Sequence, residues 1–260
     1  MHISDWNGHP IEVVESRGGV PAVCRHYSNL LRVDRGTAEP AEIAQKLYRS
    51  KHEGDFHPGD RNSLKSYLGY YTDLQSLHSE DAITWSVFGT VAKSDEAVRT
   101  RWTAELFGEV GLGSGRPDHS DITLWRRVPH PQTNSPDGPE IDFSISTEDT
   151  LLIGESKWTS KLARGQGIHR DLDQIEMRLM YLERYGRTTS VLDKTTGLPR
   201  HKRLAVLLVL IDPVPVSQNW MREDITTLST TWERVCALKS HPFADELGRY
   251  YRWKLSLTRR

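Results

Sequence analysis

Apolar residues recur at Ile83, Val87 and Val91, a spacing that predicts an amphipathic helix after Leu77, and a second helix is expected from Glu96 to Val110, closed by Gly111 and Gly113. Ile122-Thr123-Leu124-Trp125 reads as a strand. The stretch His130 to Pro139 follows, whose prolines and glycine forbid regular structure, so a flexible loop is expected. Two strand-like runs come next, Glu140 to Ser146 and Leu151 to Lys157, separated by the polar turn Thr147 to Thr150. Beyond Gly167 a helix is expected to Tyr185, with Leu172, Ile175, Leu179 and Leu182 on its apolar face. Leu204 to Ile211 is apolar throughout, the pattern of a strand buried on both faces, and Pro213 and Pro215 end it. Helices are expected from Trp220 onward. Before Asp60 the pattern is mixed, with a short strand at Ile11 to Val14, a helix from Ala41 to Tyr48, and turns at Gly18, Gly19, Gly54 and Gly59. Helices, three strands, a helix, a buried strand and further helices predict a mixed α/β layer with helices on both faces of the sheet, not a run of βαβ units.

Composition narrows the class. A chain of 260 residues can bury a sizeable core without disulfides or a structural metal. Cys24 and Cys236 are far apart and lack ligand spacing, which argues against a disulfide scaffold and a zinc ribbon and favours a reducing, cytoplasmic setting. The run from Leu204 to Ile211 is too short to span a bilayer, and the start Met1-His2-Ile3-Ser4-Asp5 has no leader pattern, so no membrane association is expected. Basic and acidic residues nearly cancel, 34 against 35, so overall charge does not by itself attract nucleic acid. Locally the balance differs: from Lys157 to Arg203 there are eleven basic residues against five acidic ones. Such a segment can track a phosphate backbone or form an ordinary charged helix face. Arg126 and Arg127, beside the proline-rich loop, are candidates for a phosphate or base contact.

The chemistry concentrates in the hairpin. With its turn centred between Glu148 and Asp149, paired positions sum to 297, so Asp142 lies opposite Glu155 and Glu140 opposite Lys157. Asp142, Glu155 and Lys157 then share one face, while Ile141, Phe143, Ile145 and Leu152 point to the other. Cross-strand Cβ atoms lie about 5 Å apart, and two carboxylates there repel unless one is protonated or a cation lies between them. A divalent ion suits the pair; Mg²⁺ needs only one or two protein carboxylates when a substrate supplies phosphate oxygens. Lys157 is placed to orient or deprotonate a water and to offset negative charge on a phosphate.

Pro139-Glu140-Ile141-Asp142, followed by Glu155-Ser156-Lys157 at the end of an apolar strand, resembles the signature of the PD-(D/E)XK, or restriction-endonuclease-like, nuclease superfamily. The resemblance covers about half the chain, Ser79 to Asp212, and implies an αβββαβ core with a mixed central sheet flanked by helices, plus N-terminal and C-terminal additions. Domains are accordingly expected at 1–75, 76–215 and 216–260. Asp142 and Glu155 would hold the metal with the backbone of Ser156, and Lys157 would assist the attacking water. Glu80, on the stripe of Ile83 and Val87, looks like the family's helical Glu, with Asp81 as the fallback. Gln174 looks like the Gln that some branches carry on the helix after the Lys, with Tyr181 seven residues on. The pattern departs from the family's Pro-Asp, which leaves Glu140 as a rival for the metal role.

The resemblance implies a Mg²⁺-dependent DNA endonuclease, with Mn²⁺ as substitute, of the kind found in prokaryotic restriction or anti-phage defence. It also implies a homodimer or a further defence or repair subunit as partner. The rival from another class is a catalytically inert nucleic-acid-binding or assembly module. A retaining glycosidase would share the carboxylate spacing but gains nothing from Lys157 or Gln174. His78, His119, His130 and His169 lack ligand spacing and read as surface or loop histidines.

Overall fold

The computed structural model describes residues 1–15, 20–32, 40–46, 72–113, 115–135, 138–160, 162, 164–166, 169–188, 190–192 and 199–258. The chain divides into two units, Met1–Thr90 with Phe243–Arg260, and Val91–Pro242.

The first unit opens with an antiparallel sheet of β1 (His2–Ser4), β2 (Pro10–Glu15) and β3 (Pro21–Cys24). The expected strand at Ile11 lies within β2, where Ile11 and Val13 alternate inward. Its neighbours are too short to show a period of their own. Helix α1 (Ala41–Lys46) is the start of the helix expected there; residues 47–48 and the turns at Gly18, Gly19, Gly54 and Gly59 lie outside the described residues. Helix α2 (Glu80–Thr84), capped by the Ser79 hydroxyl, runs through a π-helical turn, Trp85–Gly89, into α3 (Thr90–Ala92). Ile83, Val87 and Val91 recur every four residues, between the α period and the wider π turn, and all three are fully buried. Gly89 is needed there: a Cβ would lie 2.4 Å from the Trp85 ring.

The second unit is built on a five-stranded mixed sheet flanked by helices. Helix α4 (Glu96–Glu109) buries Trp102, Leu106 and Phe107 and is followed by Gly111 and Gly113, both with positive φ, as the stop signal required. Strands β4 (Asp121–Arg127), β5 (Glu140–Ser146) and β6 (Thr150–Ser156) form an antiparallel meander. A short hairpin, β7 (Arg164–Gln166) with β8 (His169–Asp173), leads to helix α5 (Gln174–Tyr185). A second hairpin, β9 (Ser190–Leu192) with β10 (Pro199–His201), precedes β11 (Arg203–Leu210), which lies parallel to β6. Strand β12 (Ile225–Thr231) adds in parallel to β11, giving the order β12-β11-β6-β5-β4, and α6 (Trp232–Cys236) follows. Ile175, Leu179 and Leu182 of α5 are buried with Ile153, Val206 and Leu208 on one sheet face.

Three expectations need correction. The helix expected beyond Gly167 begins only at Gln174; Asp173 caps it reciprocally with Glu176, and Leu172 belongs to β8. The region after Trp220 is not all helix, because the β-branched run from Ile225 to Thr231 forms β12. The loop after β4 is tied down in its described part: Arg184 of α5 donates to the Pro131 carbonyl, and the Tyr185 hydroxyl bonds Asn134.

Helix α7 (Ala244–Thr258) belongs to the first unit. There Lys254 is fully buried, its Nζ 2.8 Å from the Leu77 carbonyl and 3.4 Å from Asn29 Oδ1. Desolvation lowers its pKa to about 7 from an ordinary 10.5, while Cys24 is pushed up to about 12, also by burial. No helix among the described residues is long and apolar enough to cross a membrane.

Candidate functional site

Strands β5 and β6 pair as Phe143 with Gly154, Ser144 with Ile153, Ile145 with Leu152 and Ser146 with Leu151. Each pair sums to 297, the register expected from the turn. The Phe143 ring explains why position 154 is glycine, since a Cβ there would come within 2.0 Å of the ring. One face of β5 buries Ile141, Phe143 and Ile145 and the other carries Asp142, Ser144 and Ser146.

Past Phe143 and Gly154 the side chains take over. Asp142 Oδ2 accepts the backbone N–H of Ser156 at 2.7 Å, which holds the carboxylate against the Glu155–Ser156 peptide. Glu155 stands beside Leu208 of β11 on the face that α5 covers. Its side chain is 1% exposed, and its two oxygens meet two cations: Oε1 lies 2.9 Å from Lys157 Nζ and Oε2 lies 2.7 Å from Arg178 Nη2. Arg178 also donates to the Glu140 carbonyl. Lys157 and Arg178 are themselves only 6% and 3% exposed, so water screens these pairs little.

The frame around Lys157 is rigid. Its N–H donates to the Val209 carbonyl of β11 at 2.8 Å, and its carbonyl accepts from Trp232 Nε1 of α6 at 2.9 Å. Helix α5 is anchored at its start, where Asp173 accepts from Glu176 N and from Trp220 Nε1. The Lys157 ammonium reaches Glu155 on its own strand's end, and on the other side of β5 Glu140 is in register with Arg127 of β4.

Arg178 is a site residue that the sequence pattern does not single out, although it carries a signal: Arg178 shares the stripe of Ile175 and Leu182, an expensive place for an unpartnered charge. Gln174 is the first residue of α5, one turn before Arg178 and on the same side of the helix. Tyr181 is partly buried and meets Tyr185 in a tilted ring contact, with centroids 5.2 Å apart. Glu80 sits in the first turn of α2, in the first unit, whereas Asp142, Glu155, Ser156, Lys157 and Gln174 belong to the second. Asp81 Oδ2 pairs with Lys46 at 3.2 Å.

Trp125 is a second residue that pattern alone does not reveal. It has a φ of 52° in the middle of β4, a conformation that a bulky aromatic rarely adopts. The pairs on either side, Leu124 with Phe143 and Arg126 with Ile141, set it level with Asp142. The twist breaks the inside-outside alternation: Leu124 and Trp125 are both buried, and Arg126 and Arg127 are both exposed on an edge strand.

Among the described residues, the basic side chains from Lys157 to Arg203 have partners within the chain. Lys157 and Arg178 serve Glu155, Arg184 bonds Pro131, Arg187 bonds Asp224, Lys202 reaches Ser146 and Thr147, and Arg203 reaches Thr150. Lys161 and Lys194, with the side chains of Arg164, Arg170 and Arg200, lie outside the described residues.

The donor set fits a hard divalent ion in its chemistry: two carboxylates on adjacent strands, with Glu155 Oε1 buried and accepting no hydrogen bond, only the Lys157 ammonium at ion-pair distance. Among the described residues no group of three or more His, Cys, Asp or Glu side chains converges as a metal site. His119 approaches Glu148, and His130 Nδ1 accepts from Gln132 N and Thr133 N; the side chain of His169 lies outside the described residues. No family model, curated protein or solved structure matches the chain.

Proposed function

We propose that the chain is a metal-dependent DNA endonuclease of the PD-(D/E)XK type that hydrolyses phosphodiester bonds. The observation that carries the reading is the convergence of Asp142, Glu155 and Lys157 at the open end of the β5–β6 hairpin, with Asp142 Oδ2 2.7 Å from Ser156 N and Lys157 2.9 Å from Glu155. The element order of α4, β4, β5, β6, α5 and β11 supports it, with two short hairpins inserted.

In this reading Asp142 and Glu155 hold Mg²⁺, and the Ser156 carbonyl is a third donor. A bound divalent ion supplies Lewis-acid stabilisation of the phosphate and lowers the pKa of its water. Lys157 donates to the attacking water or to a phosphate oxygen and offsets charge that develops there. The Glu155 carboxylate, 2.9 Å away, holds the ammonium in place. Arg126 and Arg127, exposed on β4, contact phosphates of the duplex.

Cleavage of supercoiled plasmid in Mg²⁺ or Mn²⁺ tests the proposal. The wild type is expected to nick or linearise it, and Asp142→Ala and Lys157→Ala to lose that activity. Equal cleavage by Lys157→Ala would remove the assigned roles.

A second reading has its own support. Lys157 and Arg178 already balance Glu155, as expected of an inert nucleic-acid-binding module whose former metal pair has become structural. Such a module gains no thermal stability from Mn²⁺, whereas a metal-binding site does, and loses the gain in Asp142→Ala.

A further inference from the structure

We infer that Arg178 is a positioning residue that takes the place of a second metal ion, so that the site accepts one divalent cation per chain. The inference rests on the nuclease reading and deepens it. Its basis is the pairing of Glu155 Oε2 with Arg178 Nη2 at 2.7 Å, beside the Lys157 ammonium 2.9 Å from Oε1.

The guanidinium is held at Nη2 by two acceptors, and the helix that carries it is anchored along its length and at its start. Nη2 is shared between Glu155 and the Glu140 carbonyl of β5, so one group ties α5 to both strands of the hairpin. Ile175, Leu179 and Leu182 are fully buried on the same helix and prevent it from rolling. The capping box of Asp173 and Glu176, with Trp220 on Asp173, fixes its start. A guanidinium does not lose its proton in a protein, so this charge persists at every working pH.

Charge counting then limits the metal. Asp142 and Glu155 carry two negative charges, and Lys157 and Arg178 carry two positive ones. One divalent ion with one phosphodiester leaves a modest excess, whereas two ions would crowd four further charges against a buried guanidinium. Both Glu155 oxygens already face a cation, Oε1 the Lys157 ammonium at 2.9 Å and Oε2 the Arg178 guanidinium at 2.7 Å. The arginine also orients the Glu155 carboxylate before any metal arrives. Its Nε is buried without a hydrogen-bond partner.

Mn²⁺ titration by calorimetry and by electron paramagnetic resonance tests this on the full chain, with thermal melts in EDTA and in Mn²⁺. Wild type is expected to bind one ion, lost in Asp142→Ala. Arg178→Gln should bind a second ion or hold the first at least about tenfold tighter, as removal of a like charge in contact range predicts. Mn²⁺ should raise its melting temperature more than it raises that of wild type, and Arg178→Lys, which keeps the charge, should bind one ion. Two ions in wild type overturn the inference even if Arg178→Gln does not fold. Unchanged stoichiometry, affinity and melting shift in a folded Arg178→Gln overturn it while leaving the nuclease reading intact. No Mn²⁺ binding by wild type, or binding indifferent to Asp142→Ala, removes both.

Discussion

The Asp142 carboxylate accepts the backbone N–H of Ser156 at 2.7 Å, across strands whose paired register ends one step earlier at Phe143 and Gly154. The side chain thus replaces a rung of the ladder where β5 and β6 part. It holds the Asp142 carboxylate against the Glu155–Ser156 peptide.

Asp142→Asn keeps an acceptor for that N–H and should stay close to wild type in urea unfolding. Asp142→Ala orphans a buried donor and should lose about 1–3 kcal/mol. Both should lose Mn²⁺-dependent stabilisation and plasmid cleavage. An Asp142→Asn protein that retained cleavage would contradict the metal role.

Glu155→Ala should be among the most destabilising single changes in this unit, costing about 3–5 kcal/mol, because it leaves Lys157 and Arg178 buried without their counter-charge. The loss should persist at high salt, since these groups are hidden from solvent ions. Urea midpoints at low and high ionic strength check both statements.

Gly154→Ala should destabilise by about 1–3 kcal/mol through overpacking, since the added methyl would meet the Phe143 ring at 2.0 Å. The double variant Gly154→Ala with Phe143→Leu should recover part of the loss. An additive double variant would show that the ring is not the obstacle.

The first unit should become more stable as pH rises from about 7 towards 9. Lys254 titrates near 7 when folded and near 10.5 when unfolded, so the unfolded chain binds the extra proton in that window. The cost of burying this amine is absent above 10.5 and complete once pH has fallen below about 7. Cys24 works in the opposite sense above pH 9, because its thiol ionises at 9.0 when unfolded and only near 12 when buried. His78, lowered by burial and then by Lys254, adds a rise only below its ordinary 6.5. Thermal melts followed from pH 7 to 9 should lose this slope in Lys254→Met.

Arg126→Ala and Arg127→Ala should weaken duplex binding uniformly across sequences. Each should reduce the slope of log affinity against log salt by about 1 for every phosphate that is no longer neutralised. Fluorescence anisotropy across a salt series measures it; an unchanged slope in the double variant would move the duplex elsewhere.

Local pattern alone determined the strands flanking the turn and the 297 register from Phe143 to Ser146, because a period of two and a short polar turn leave little freedom in a hairpin. The same holds for the stripe of Ile175, Leu179 and Leu182 and for the doubly buried β11. Strand β12 and the hairpin before α5 are hidden from pattern because short runs carry weak periodicity, although the Asp173–Glu176 capping pair marks the helix start. Only the tertiary structure decided that Arg178 reaches Glu155 across the layer between helix and sheet, since no sequence spacing measures that distance. It also decided the left-handed turn at Trp125, which exposes Arg126 and Arg127, because no residue preference favours a tryptophan there. Charges that look solvated in the sequence become buried partners when a crossover helix is laid over strands from elsewhere in the chain.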